Sequence, residues 1–277
     1  KLLLMNYVEF EVDFNQLHPG RDVLISKLDI LGFESFVETK TGLQSYIPED
    51  NFNLEVLEFV KDIEGVEKST WRVIEDQNWN AKWEESFDPV FVEDKLVIKA
   101  PFHTGAFSQE MQVTIQPQMS FGTGHHQTTW LISKRLFEMK LTNLEVLDMG
   151  TGTGVLAIIA EKLGALHVFA PDIDEWSFRN ALENVALNNC SKIEVALGDD
   201  RSLEGKSFDL IIANINKNIL IQHFSVYSKA LKSSGKMLIS GFFETDQEDL
   251  KKAAAQHGFV FEDVHTKEGW AMMEFSA

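Results

Sequence analysis

Asp148-Met149-Gly150-Thr151-Gly152-Thr153-Gly154 is the stretch on which the reading of this 277-residue chain turns. Glycines at every second position let a backbone turn sharply and let a ligand come close with no Cβ in the way. Residues 144–149 before it form an apolar run that reads as a buried strand, and residues 155–163 after it read as a helix. Outward from this turn the pattern repeats. Strands are predicted over 167–170, 193–197, 208–213 and 237–240, and helices over 175–188, 219–231 and 248–257. Residues 259–264 and 270–275 read as a final pair of strands. Such alternation predicts an α/β domain over 119–277, with a mostly parallel sheet, antiparallel last strands and helices on both faces.

The first 75 residues read differently. Polar and apolar residues alternate over 2–13, and after Pro19-Gly20 the residues Val23, Leu24, Leu28 and Leu31 fall at helical spacing. Strands follow over 35–39 and 43–47, then a helical stripe of Phe52, Val56, Leu57, Val60 and Ile63, then a strand over 66–75. The order βαββαβ predicts a small ferredoxin-like α+β domain over 1–75. No cluster of catalytic side chains falls in it, which points to recognition. Residues 76–118 read as a connecting segment with strands over 90–92 and 95–99. Trp79 and Trp83 stand there one helical turn apart, suited to packing between modules or to stacking on a ligand.

Forty-three acids against 25 bases leave a net charge of −18, which disfavours a phosphate backbone as partner. The charge is uneven, about −8 over the first 75 residues and −10 over the remaining 202. A solvated acidic surface and a docking surface for a basic partner both account for it. No apolar run approaches the ~18 residues of a membrane span. The amino terminus lacks a cationic stretch followed by an apolar block, so secretion is not expected. The single cysteine, Cys190, excludes an internal disulfide and a cysteine-rich metal site, in keeping with a reducing cytoplasm. A monomer is the default expectation.

The residues able to carry chemistry fall at predicted strand ends. Asp172, 22 residues beyond Gly150, stands where a carboxylate can accept hydrogen bonds from both hydroxyls of a ribose. The spacing GxGxG differs from the GxGxxG of pyrophosphate-binding turns, and an acid, Asp148, stands two residues before it. This tighter form resembles the first motif of the class I, Rossmann-like methyltransferases, which bind S-adenosylmethionine. Upstream lies Phe121-Gly122-Thr123-Gly124-His125-His126-Gln127-Thr128-Thr129, ahead of an amphipathic helix that Thr128 or Thr129 is placed to cap. Adjacent histidines make a poor chelate, so no metal is expected. Asn214, at the end of the strand over 208–213, can accept a hydrogen bond from an incoming N–H, or serve only as a turn residue.

Together these segments resemble the methyltransferases that modify large-subunit ribosomal protein eleven. FGTGHHQTT (121–129), DMGTGTG (148–154), PDID (171–174), ANI (213–215), LISGF (238–242) and EGWAMM (268–273) carry the resemblance, joined by WNAKWEESFDPVFVEDKLVI (79–98). It implies methylation of amino groups, lysine side chains and the N-terminal amine, on that basic ribosomal protein. It also implies cofactor contacts at Thr129, Gly150, Asp172 and Asn214. Phe121, Gly122, Thr123, Gly152 and Gly154 are further candidates within the same segments, and S-adenosylhomocysteine is the implied product. Departures are Gln127 where proline is commoner, Pro171 just before the ribose acid, and Thr151 and Thr153 at variable loop sites. Asn214-Ile215-Asn216 lacks the Asn-Pro-Pro-aromatic pattern of glutamine and adenine methyltransferases. Asn214 is the candidate for orienting the amine and His126 the candidate base. Alternatives are a methyltransferase for RNA or a small molecule, a nicotinamide-dependent oxidoreductase, and a non-catalytic adaptor.

Overall fold

The computed structural model describes residues 6–15, 20–74, 87–118 and 120–277, and Trp79 and Trp83 lie outside them. The chain divides into two compact units, residues 1–87 and 88–277.

In the first unit the elements are β1 (Tyr7–Phe14), α1 (Gly20–Ile30), β2 (Ser35–Glu38), β3 (Gly42–Pro48), α2 (Glu55–Lys61) and β4 (Val66–Ile74). The strands form one antiparallel sheet in the order β2-β3-β1-β4. Alternation along β1 sends Val8, Phe10 and Val12 inward, where they meet Leu24 and Leu28 of α1 and Val56 and Val60 of α2. The other register of β1 carries Tyr7, Glu9, Glu11 and Asp13. Glu9 is buried there between the hydroxyl of Tyr46, 3.1 Å away, and Nε of Arg72, 2.6 Å away.

The second unit opens with a three-stranded sheet, β5 (Val90–Val92), β6 (Leu96–Lys99) and β7 (Met111–Thr114). The sequence reading had no strand at β7. Val92, Leu96, Ile98 and Val113 pack into the core of this unit rather than standing apart as a connector.

Next come α3 (Gln127–Glu138), β8 (Glu145–Met149), α4 (Val155–Lys162), β9 (His167–Asp172), α5 (Glu175–Leu187) and β10 (Ile193–Leu197). After them follow β11 (Phe208–Asn214), α6 (Lys217–Ala230), β12 (Leu231–Phe243), α7 (Gln247–Ala255), β13 (Val260–Lys267) and β14 (Trp270–Ser276). The sheet order is β10-β9-β8-β11-β12-β14-β13, parallel from β10 to β12 and antiparallel at β14 and β13.

Successive residues face opposite sides. Val146, Val168, Leu210, Ile212 and Leu238 pack with α3 and α4, while Leu147, Phe169, Ile211, Ala213 and Ile239 pack with α6 and α7. The first six residues of α4, Val155–Ala160, are apolar and all buried, because this part of the helix is covered on all sides. Cys190, half-buried, packs against this core, and burial pushes its thiol up to about 11.

The chain enters the sheet at its centre, winds outward through β9 and β10, and crosses back to β11. The reversal between β8 and β11 is a topological switch point, and a crevice forms there at the carboxyl ends of the strands. That is where the candidate site lies.

Candidate active site

The glycine turn is held almost entirely by its own surroundings. Gly150 N–H donates to the Pro171 carbonyl at 3.0 Å, and Thr151 N–H donates to the same oxygen at 3.3 Å. Gly152 N–H donates to Asp172 Oδ2 at 2.8 Å, Thr153 N–H to Phe121 O at 2.9 Å, and Gly154 N–H to Thr151 O at 2.9 Å. Gly152 sits at φ +57°, and a Cβ there would fall against the Phe121 carbonyl oxygen. Pro171, one of the departures noted above, contributes its carbonyl to the turn as any residue there would. Ladder pairing of β9 with β8 reaches Leu147 and Phe169, so beyond it the Pro171 carbonyl turns to the loop.

Asp148 is 1% exposed and braces the turn from beneath. Its Oδ2 accepts from Thr151 Oγ1 at 2.6 Å and from Ala157 N–H at 3.1 Å. A carboxylate therefore already sits on the first turn of α4, where a pyrophosphate would have to bind. Burial pushes the Asp148 carboxyl up to about 6. An anion in that place suits a cationic ligand and opposes a dinucleotide.

Asp172, 9% exposed, ends β9. Its Oδ1 accepts from Asp174 N–H at 3.0 Å, and its Oδ2 takes the Gly152 N–H. The two backbone donors fix the carboxylate, and each oxygen keeps a further acceptor site for a hydroxyl.

Across the switch point stands Asn214, the last residue of β11. Its Nδ2 donates to Thr129 Oγ1 at 3.4 Å, whereas its Oδ1 is buried without a hydrogen-bond partner among the described residues. An amide oxygen left so costs about 1–3 kcal/mol, and a native site that keeps one calls for an explanation. Asn214 lines a cavity of about 220 Å³ together with Phe121, His126, Ile215, Gly241 and Trp270. Gly241 lies at φ +96°, where a Cβ would crowd the Ile215 backbone, and the register of β12 slips beside it, between Ser240 and Phe242. The other wall is aromatic: the His126 ring lies edge-on to Phe121 at 5.2 Å and to Trp270 at 4.4 Å, and Phe243 tilts over Trp270 at 4.3 Å.

The structure assigns the α3 cap to His126 and not to Thr128 or Thr129. The His126 side chain accepts from Thr128 N–H, with Thr128 Oγ1 2.8 Å from Nδ1. With Nδ1 so engaged, the neutral ring carries its proton on Nε2, and desolvation holds its pKa below the usual value. The base proposed from sequence thus has its lone pair already committed. Thr123 Oγ1 lies 3.2 Å from His125 Nδ1, and His125 Nε2 lies 2.8 Å from Asp88 O, so Thr123 serves its own loop. Among the described residues no group of three or more His, Cys, Asp or Glu is placed to hold a metal.

One set of positioning residues was not read from the sequence. Asn180, Asn184 and Asn188 of α5 and its cap recur every four residues and present their amides to the strand opposite. Thr114 N–H donates to Asn188 Oδ1 at 2.9 Å, and Gln116 N–H to Asn184 Oδ1 at 2.7 Å. Asn188 Nδ2 donates to Thr114 O, Asn180 Nδ2 to Gln116 O, and Asn184 Nδ2 to Thr153 O. These amides replace the ladder partner that β7 and the residues after it lack.

Sheet order and the glycine turn at the switch point define a class I, Rossmann-like methyltransferase fold. Residues 21–277 match the family described as ribosomal protein L11 methyltransferase (PrmA). Ribosomal protein L11 methyltransferase of Bacteroides fragilis is 40% identical over 98% of this chain and 99% of its own. That of Porphyromonas gingivalis is 41% identical over 94% and 92%. Among solved structures, a ribosomal protein L11 methylase from Lactobacillus delbrueckii subsp. bulgaricus is 29% identical, with a TM-score of 0.64 over 69% of this chain and 98% of that one. A methyltransferase from Pyrococcus furiosus, at 18% identity and TM-score 0.51 over 58% of this chain and 87% of its own, shares the fold. The chain belongs to the ribosomal protein L11 methyltransferase family.

Proposed function

We propose that this enzyme methylates amino groups of ribosomal protein L11, both lysine side chains and the N-terminal amine, with S-adenosylmethionine as donor. The observation that carries the reading is the unpartnered Oδ1 of Asn214 on the wall of an aromatic-lined cavity at the switch point.

The residues present fit the donor. Asp172 would hold its ribose, the turn at 150–154 would seat it, and the buried Asp148 carboxylate offsets positive charge nearby. When bound, S-adenosylmethionine supplies a methyl group on a positively charged sulfur. The acceptor must then arrive as a neutral amine, although a free lysine has a pKa of about 10.4 and an α-amine about 8. Apolar walls at Phe121, Ile215 and Trp270 favour the uncharged form by desolvation. Asn214 Oδ1 accepts one N–H of that amine and so fixes where its lone pair points. With His126 Nδ1 engaged in capping, positioning and desolvation replace a dedicated base, and the proton leaves to solvent.

The acidic charge fits a basic protein as acceptor better than RNA. On this reading the small amino-terminal unit presents the substrate protein and the second unit performs the transfer in the cytoplasm. Full-length enzyme, methyl-labelled donor and purified L11 should give label on protein amines. Label on naked ribosomal RNA in preference to L11, or no transfer at all, would overturn the assignment. Deleting residues 1–75 should leave donor affinity nearly intact while abolishing methylation of the protein.

A further inference from the structure

From the hydrogen bonds of Thr153 we infer that this residue is a positioning residue that ties the acceptor wall to the donor turn, an inference that rests on the methyltransferase reading above. Thr153 is fully buried, and its polar atoms reach two separate segments, residues 121–122 and helix α5. Its N–H donates to Phe121 O at 2.9 Å, its Oγ1 to Gly122 O at 2.6 Å, and its carbonyl accepts from Asn184 Nδ2 at 2.9 Å. Asn184 Oδ1 in turn takes the Gln116 N–H. Thr151, two residues earlier, uses its hydroxyl on Asp148 inside the turn, so only Thr153 reaches outward by its side chain.

The consequence falls on Phe121. Phe121 is 53% exposed, too open for apolar packing alone to fix it, yet it forms one wall of the cavity that holds Asn214. Two consecutive carbonyls, of Phe121 and Gly122, are pinned by Thr153, which fixes the backbone from which the ring projects. The fit is close at Gly122 too, at φ +106°, since a Cβ there would come within 2.8 Å of Thr153 Oγ1. The Phe121 wall is thereby anchored on the preformed turn at residues 150–154. The Thr153 side chain is fully buried and its hydroxyl is committed to Gly122 O. It acts through Phe121, on acceptor placement.

The test compares Thr153→Val, which keeps the shape and removes the hydroxyl, with Thr153→Ser, which keeps the hydroxyl. Thr153→Ala serves in place of Thr153→Val should the extra methyl crowd Gly122 O and prevent folding. Calorimetry with S-adenosylhomocysteine reads the donor side, and steady-state methylation of L11 reads the acceptor side. Thr153→Val should lower kcat/KM for L11 about tenfold while the S-adenosylhomocysteine Kd stays within about threefold, and Thr153→Ser should restore turnover. Wild-type kcat/KM in Thr153→Val would overturn the inference. So would equal losses on both sides, which a merely structural role in the turn produces, or failure of serine to rescue. Absence of S-adenosylhomocysteine binding by the wild-type enzyme would instead overturn the methyltransferase reading beneath it.

Discussion

The two sides of the crevice are built on opposite principles. On the donor side, from Asp148 to Gly154, each of the five N–H groups from Gly150 to Gly154 has a partner within the protein, and both oxygens of Asp172 are held by backbone. On the acceptor side, at the end of β11, an amide oxygen is buried with nothing to accept among the described residues. A rigid seat suits a ligand that is the same in every cycle. An unsatisfied acceptor suits a group that must be bound for one step and released. On the proposed function, the difference separates residues that hold shape from a residue that awaits a reactant, and the variants below are chosen to break or sharpen it.

The largest effect is expected at Asn214. Asn214→Ala removes the unpartnered acceptor and should lower kcat about 100- to 1,000-fold, on the scale of a single oriented group in a preorganised site. The donor Kd should change far less, which a parallel calorimetric titration checks. Equal losses in both would move Asn214 to the donor side and erase the contrast. Asp172→Ala should do the reverse, weakening donor binding by about 2–3 kcal/mol, a loss on the scale of hydrogen bonds to a charged group. Unchanged S-adenosylhomocysteine affinity would remove Asp172 from the site.

Asp148 sharpens the comparison through pH. Its carboxyl is raised by burial from 3.8 to about 6, so between those values the folded chain binds a proton that the unfolded chain has released. The second unit should therefore lose stability as pH rises from about 4 to about 6, by about 3 kcal/mol at most from this group. Asp148→Asn, which cannot ionise, should show a flatter dependence over that window in urea titrations. Parallel curves for the two proteins would show that Asp148 is ionised in the fold at no extra cost.

Much of this architecture was legible because its signals are local. Apolar runs bounded by glycine and polar residues marked β8, β9, β10 and β11, and the distance from Gly150 to Asp172 reflects one helix and one strand. What escaped depended on neighbours distant in sequence. Residues 111–114, Met-Gln-Val-Thr, show no strong alternation, and their partners on the open side are amides of α5 some seventy residues away. The four-residue spacing of Asn180, Asn184 and Asn188 was visible, but its meaning depends on what lies opposite. Strand β12 begins at Leu231 rather than near residue 237 because Ser233, Ser234 and Gly235 form an irregularity that reads as a turn, and its ladder with β11 shifts register there. The cap of α3 fell to His126 because a ring nitrogen, like the favoured hydroxyls and carboxylates, can accept from the second N–H of a helix.

Gln127 gives the smallest effect and the finest test of where rigidity ends. Its Nε2 donates to Glu268 Oε2 at 2.6 Å, joining the first turn of α3 to the β13–β14 turn that precedes Trp270. The bond from Gln127, with Lys267 beside it, holds the Glu268 carboxyl below its usual range. The Glu268 side chain is 62% exposed, so water replaces the lost partner readily. Gln127 is also the first residue of α3, a position where proline is preorganised for the helix and forgoes an N–H that has no partner there. Gln127→Pro should therefore leave the melting temperature within about 2 °C of wild type, loss of the bridge being offset by the fixed φ. If Trp270 is held by its ring contacts with His126 and Phe243, kcat/KM for L11 should fall by no more than about twofold. A tenfold fall with an unchanged melting temperature would show that the bridge, and not the aromatic stack, sets the acceptor wall.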